Sequence, residues 1–358
     1  MPSSAAPLLE AMPDPAETAR VLAGPIRSME RLSGGGNNRI YRVETAGGAY
    51  ALKCYGSTER LAREYGSLSF LAGIGAGSLT VPHPEAAAPD HGAALYEWID
   101  GTAVSRAPDG RKEDDMAQAV AFAAFLAGHR SAEGAAALAE AAEACLSLTG
   151  LLDQIESRFA RLSDVDDVRL GEFLRADARP VIDRARIRAL TGYAAAGLGP
   201  SAPLEPGLRT LSPSDFGFHN ALRRRDGSLV FLDFEYFGWD DPVKLTADFL
   251  WHPAFSLALQ EQADWHDGMM ALFAADPAFS ARLRAQLPLY GLRWTMILLN
   301  EFLPERWERR LFAGTSAGWS EAKAAQLSKA RLWLREARRL TDGPDGDVRS
   351  SFPLLADR

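Results

Sequence analysis

Three oxygen-bearing side chains, Asp215, Asn220 and Asp233, fall within one short stretch of this chain. A lone aspartate in a loop is ordinarily a cap or turn residue. Here the spacing says more. Asp226-Gly227 lies between two apolar runs, a pattern that predicts a two-residue β-hairpin. With Arg225 paired to Ser228, that register sets Asn220 opposite Asp233. Opposed residues on one sheet face hold their Cβ atoms about 4.5–5.5 Å apart. The open end of the hairpin would thus present an amide oxygen beside a carboxylate, two hard ligands suited to Mg²⁺. Asp215 lies in the loop leading to the same point, free to act as a base. Its ordinary pKa, near 4, keeps it ionised at neutral pH. A loop carboxylate, an amide five residues on and a second carboxylate across a tight turn are the parts of a phosphoryl-transfer site.

Phosphoryl transfer also needs a phosphate cradle. Ser33-Gly34-Gly35-Gly36-Asn37-Asn38 is the densest glycine run in the chain, and consecutive glycines let backbone N–H groups approach phosphate oxygens. A dinucleotide fingerprint would need glycine at Arg39 and a helix next, and a Walker loop would need a Gly-Lys pair, which the chain lacks. What remains is a glycine-rich turn between two strands. Lys53 lies at the end of the second strand after the glycine run, where a lysine can reach nucleotide phosphates, and Glu64 on the following helix can anchor it.

These residues require a particular frame. Residues 40–45, 46–48 and 49–55 read as strand, turn and strand. Leu61, Tyr65, Leu68 and Leu71 recur at helical spacing, and residues 93–99 form another strand. Beyond them the pattern is helical, except for a strand-rich island over 211–237. The expected class is α+β, with a small β-rich N-lobe and a larger α-rich C-lobe. The expected divisions are a flexible arm at 1–20, a nucleotide-binding N-lobe at 21–97, a C-lobe with catalytic loop and acceptor-binding helices at 98–345, and a tail at 346–358.

Composition narrows the partners. The 358 residues are 47% hydrophobic and 24% charged, ordinary for a globular chain. A net charge of −8 makes nucleic acid a poor partner. Two cysteines cannot build a disulfide framework or a cysteine-rich zinc site. No signal peptide or membrane-length apolar run is legible, so a cytoplasmic protein, monomeric or homodimeric, is expected. Gly314-Thr315-Ser316-Ala317-Gly318 has the spacing of a hydrolase elbow, but the last histidine, His266, precedes it. Asp114, Asp115, Asp164, Asp166 and Asp167 would suit a cationic acceptor.

With these motifs in place, the sequence resembles the aminoglycoside phosphotransferase and choline kinase-like family, within the protein-kinase-like fold. The resemblance spans roughly Leu32 to Asp248. It implies that Asp215 is the catalytic aspartate, that Asn220 and Asp233 hold magnesium, and that Lys53 binds the α- and β-phosphates with Glu64 as its partner. It implies that Gly34, Gly35, Gly36 and Asn37 cover the phosphates, and that the Glu97 carbonyl and the Ile99 N–H meet adenine. Asp241-Pro242 and Asp248 resemble a structural segment behind the catalytic loop. One departure stands out: where the family usually has a histidine that braces the loop, this chain has Pro213. The implied function is ATP- and Mg²⁺-dependent transfer of the γ-phosphoryl group to a hydroxyl of an amino sugar, amino alcohol or sugar. The alternative is a nucleotide-binding pseudokinase with a regulatory or scaffolding role.

Overall fold

The computed structural model describes residues 13–32, 38–76, 80–105, 114–313, 318–344 and 346–355. An antiparallel sheet near the N-terminus contains β1 (Ile26–Arg31), β2 (Arg39–Thr45), β3 (Ala49–Cys54), β4 (Pro84–Ala88) and β5 (Ala93–Glu97). Their order across the sheet is β1-β2-β3-β5-β4, so β3 is central. Alternation along β3 sorts its side chains: Leu52 and Cys54 join Val43, Ala93 and Leu95 on one face. Lys53 points to the other face, where it meets Glu64.

The first face is covered by α1 (Pro15–Ala23), capped by Asp14, whose Oδ1 accepts from the Ala16 N–H at 3.1 Å. Ala19, Leu22 and Ala23 of this helix pack on the sheet. Of the expected flexible arm over 1–20, residues 15–20 are helical instead, and residues 1–12 lie outside the described residues. The arm's prolines and alanines suggested a loose segment, yet Pro15 occupies a first-turn position that suits proline. The apolar face of the sheet supplies what a short isolated helix lacks. On the opposite side lies α2 (Thr58–Gly73), with Leu61, Leu68 and Leu71 buried as their spacing predicts and Glu64 buried among them.

The rest of the chain is mainly helical. After β6 (Thr102–Ala103) come α3 (Asp115–Gly128), α4 (Leu148–Ser163), α5 (Val168–Glu172) and α6 (Arg179–Ala195). Short strands follow: β7 (Thr210–Ser212), β8 (Ala221–Arg223), β9 (Leu229–Phe231) and β10 (Gly238–Asp240). They form two small sheets, β10-β7 and β6-β8-β9. Then α7 (Pro242–Trp251), buried along its whole length, leads to α8 (Leu259–Leu272), α9 (Phe279–Leu298), α10 (Pro304–Ala313) and α11 (Trp319–Asp342). Among the described residues no helix is long and apolar enough to cross a membrane.

The β8–β9 hairpin differs from its expected register by one residue. Ala221 pairs with Phe231 and Arg223 with Leu229. Arg224 N donates to Ser228 O at 2.9 Å, which leaves a three-residue loop, Arg225-Asp226-Gly227. Gly227 has φ +91°, the left-handed position such a loop assigns to glycine. The backbone neighbour of Asn220 is therefore Leu232, whose N–H donates to Asn220 O at 2.8 Å, and not Asp233.

Candidate active site

Two loops bring the candidate residues together. One, 213–220, joins β7 to β8, and the other, 232–237, joins β9 to β10. The first is anchored by Phe216 and Phe218. Phe216 packs 4.9 Å from Phe231, and Phe218 packs 5.6 Å from Phe255, centroid to centroid. Gly217 between them has no room for a side chain: a Cβ there would come within 2.2 Å of the Phe255 ring.

On the sheet side, Lys53 Nζ donates to Glu64 Oε2 and Asp233 Oδ1, both at 2.7 Å. Burial disfavours the ammonium, but the charges of Asp233, Glu64 and Glu235 outweigh it and hold the Lys53 pKa well above its ordinary value. Burial pushes the Glu64 carboxyl upward, and the Asp233 charge adds to this against the pull of Lys53. Tyr55 Oη donates to Glu64 Oε2 at 2.9 Å and meets Tyr96 Oη at 2.7 Å, which fixes Glu64 from behind. Asp233 itself sits at φ +66°, uncommon for a residue with a side chain. That turn follows the end of β9, and the carboxylate beyond it meets Lys53.

Glu235, to which the sequence reading gave no role, is fully enclosed. It accepts from Asn38 Nδ2 at 2.8 Å and from Arg60 at 3.2 Å. Carboxylate oxygens of Glu64, Asp233 and Glu235 lie within 4.8 Å of one another. An all-oxygen set fits Mg²⁺ and not a thiophilic metal. Asp233 is the member open to solvent, with a third of its side chain exposed. Asn220 turns its Nδ2 toward Asp215 O at 3.1 Å, which leaves Oδ1 as its acceptor atom. Gly34, Gly35, Gly36 and Asn37 lie outside the described residues. Glu97 ends β5 with its N–H bonded to His83 O at 2.8 Å, and Ile99 follows with a buried side chain. Among the described residues nothing pairs with the Ile99 N–H.

On the 213–220 loop, Asp215 Oδ1 accepts from His252 Nε2 at 3.0 Å. His219 Nε2 lies 3.3 Å from the same oxygen. Burial would raise the Asp215 pKa, but these two imidazoles reverse the effect and hold the carboxyl well below the usual range. Among the described residues no hydrogen bond reaches Oδ2. Neither His252 nor its relation to Asp215 was legible from spacing, since 37 residues separate them.

Behind the loop is a second buried lysine. Lys244, on α7, donates to Ser214 Oγ at 2.7 Å and pairs with Asp240 at 2.9 Å and Asp248 at 3.2 Å. Ser214 has φ +66°, so a strained residue beside Asp215 is held by a charge-assisted bond. Asp248 is held in turn by Arg293 at 3.2 Å and Trp294 Nε1 at 2.8 Å. Asp241 caps α7 by accepting from Val243 N–H at 2.8 Å and pairs with Arg282. The bracing expected of a histidine at position 213 is thus carried by Lys244 through Ser214.

Three of the five acidic residues suggested for a cationic acceptor have other partners. Asp115 is fully buried in a two-bond pair with Arg223, at 2.5 and 2.9 Å. Asp167 caps α5 and pairs with Lys323 at 3.3 Å, and Asp114 accepts from Gln118 at 3.0 Å. Asp164 and Asp166 are exposed. Residues 314–317 of the elbow-like segment lie outside the described residues.

A family model described as a phosphotransferase enzyme family matches residues 28–285. No curated protein matches the sequence. Several solved structures share the fold. The aminoglycoside phosphotransferase APH(2")-IIa, in complex with gentamicin, gives a TM-score of 0.57 at 14% identity, covering 91% of this chain and 97% of its own. Choline kinase LicA from Streptococcus pneumoniae gives 0.54 at 17% identity, covering 89% and 96%. APH(4)-Ia in ternary complex with AMP-PNP and hygromycin B gives 0.56 at 15%, covering 92% and 98%. At such identities the likeness shows the protein-kinase-like α+β fold.

Proposed function

The chain belongs to the phosphotransferase enzyme family, and from that premise we propose that it transfers the γ-phosphoryl group of ATP to a hydroxyl of a small molecule. The carrying observation is the Lys53 ammonium shared at 2.7 Å between Glu64 and Asp233, together with the Asp215 carboxylate, one oxygen of which His252 holds. Lys53 binds the α- and β-phosphates, held in place by Glu64 and the Tyr55–Tyr96 pair. By the family resemblance Gly34, Gly35, Gly36 and Asn37 would cover the phosphates, and the Glu97 carbonyl and Ile99 N–H would take adenine. Asp233 and Asn220 would hold Mg²⁺, which would supply charge neutralisation at the phosphates. Asp215 Oδ2 receives the hydrogen of the acceptor hydroxyl and sets its oxygen in line with the γ-phosphorus. The proton passes to Asp215 late, as the new O–P bond forms and the bond to ADP breaks. A carboxyl held this far down is a weak base, so its work is orientation, in keeping with a loose transition state.

The acceptor class is an amino sugar, amino alcohol or sugar. Its support is that a relative of the same fold is a choline kinase and others are bound to gentamicin or hygromycin B. The pseudokinase alternative rested on Pro213. The Lys244–Ser214 brace removes that objection, since the loop is held without a histidine there.

Calorimetric titration with ATP, with and without Mg²⁺, tests the reading. Wild type should bind in a Mg²⁺-dependent manner, and Asp233→Asn should weaken binding about ten-fold or more. Equal affinity in both proteins, or binding indifferent to Mg²⁺, would remove Asp233 from the proposed site.

A further inference from the structure

His252 immediately follows α7, and its ring is enclosed on three sides. His219 stacks on it at 3.9 Å and 15°, Phe255 lies at 5.3 Å and 11°, and Trp294 meets it edge-on at 4.7 Å and 75°. Only 7% of the side chain is exposed. Packing therefore fixes the plane of the imidazole, and one backbone contact fixes its proton. Ala254 N–H donates to Nδ1 at 3.2 Å, which requires a lone pair on that nitrogen. The neutral ring must then carry its hydrogen on Nε2, the atom 3.0 Å from Asp215 Oδ1.

We propose that His252 is a positioning residue for phosphoryl transfer: its Nε2–H holds Asp215 Oδ1 and thereby aims Oδ2 at the acceptor hydroxyl. This rests on the function proposed above. Lys244 pins the backbone beside Asp215 through Ser214; His252 pins the carboxylate itself. A carboxylate with one oxygen tied cannot exchange its two oxygens by rotation, so the reactive one stays in a single direction.

Two other uses of the same group fit less well. Asp215, His219 and His252 have the composition of a metal site, with ligand atoms within 4.8 Å of one another. Ligation through His252 Nε2 would move the ring proton to Nδ1, head-on against the Ala254 N–H. A proton store on His252 meets the same obstacle, because the second proton would also go to Nδ1. The ring is built as a donor.

The test uses the full-length protein and MgATP with water as acceptor, followed as phosphate release. His252→Phe keeps an aromatic ring in the stack and removes the donor; His252→Gln offers an amide N–H near the place of Nε2. The expected result is a drop in kcat of about 10- to 100-fold for Phe, the size of one lost hydrogen bond to a charged group. The KM for MgATP should stay unchanged, and Gln should recover most of the loss. Independently, ¹⁵N-histidine NMR of the wild type should show His252 as the Nε2–H tautomer. An unchanged kcat in His252→Phe, no recovery in His252→Gln, or an Nδ1–H tautomer overturns the proposal. Should His252→Phe fail to fold, the tautomer and the Gln variant decide. Wild-type MgATP binding is measured alongside; its absence defeats the phosphotransferase reading, whereas its presence with an indifferent His252 defeats this inference alone.

Discussion

Lys53 and Lys244 are both buried lysines, each shared between two carboxylates, yet the exposure of those carboxylates differs. Lys53 pairs with enclosed Glu64 and with Asp233, a third of whose side chain is exposed. Lys244 pairs with Asp240 and Asp248, exposed at only 0% and 6%, and its remaining bond goes to Ser214. The first pairing can be remade when phosphates and a cation arrive, because one partner faces the cleft. The second has nowhere to go. A buried ion pair adds little net stability by itself, but removing one partner strands the other charge at a cost of about 3–5 kcal/mol. What separates a working lysine from a brace here is the exposure of the partner, not the burial of the lysine.

Substitutions at the two lysines should separate these roles. Lys244→Met should show the largest change in stability, a loss of about 3–5 kcal/mol in urea unfolding, because Asp240 and Asp248 would be left with less positive charge. Lys53→Met should lose far less stability, about 1–2 kcal/mol, since Asp233 can turn to solvent and Glu64, whose pKa burial already raises, can take up a proton, while its turnover falls about 100-fold or more through lost phosphate neutralisation. If both variants lose stability equally, the distinction between them fails. Ser214→Ala sharpens it further: removing one charge-assisted bond should cost about 1 kcal/mol and lower kcat several-fold with little effect on MgATP affinity. A fall in MgATP affinity instead would place the Lys244 network in the nucleotide site.

The smallest effect concerns pH. The Asp215 carboxyl lies below its ordinary range in the folded protein, so the unfolded chain binds more protons there. The stability this contributes is present above the ordinary carboxylate pKa and is lost as pH falls through and below it. The stability difference between wild type and Asp215→Asn, followed by urea unfolding, should therefore hold from pH 7 to about pH 5 and shrink as pH falls through about 4 and below. A difference that grows toward acid would contradict the depressed carboxyl.

Much of the site was legible because its parts are close in sequence or sit on regular elements. Asp215 and Asn220 share one loop, and strand alternation and helix spacing place Lys53 against Glu64. Their roles are still carried by the family resemblance. The hairpin register came out one residue away because a left-handed Gly227 favoured a three-residue loop over the two-residue turn that Asp226-Gly227 suggests. The contact of Lys244 with Ser214 spans 30 residues, and that of His252 with Asp215 spans 37; tertiary packing makes both. One signal was available: Lys244 stands four residues from Asp240 and from Asp248, a spacing at which helical charges meet. Helix α1 was missed because its apolar face is short and gains its purpose only from the sheet beneath it.

The central claim is phosphoryl transfer from ATP to a small-molecule hydroxyl oriented by Asp215. Its most direct test is ADP release from MgATP across aminoglycosides, choline, ethanolamine, homoserine and simple sugars, in wild type and Asp215→Asn. The account predicts acceptor-dependent ADP release by the wild type that falls by orders of magnitude in Asp215→Asn, with MgATP binding intact in both. Equal ADP release from the two proteins, or a wild type that does not bind MgATP, would contradict it.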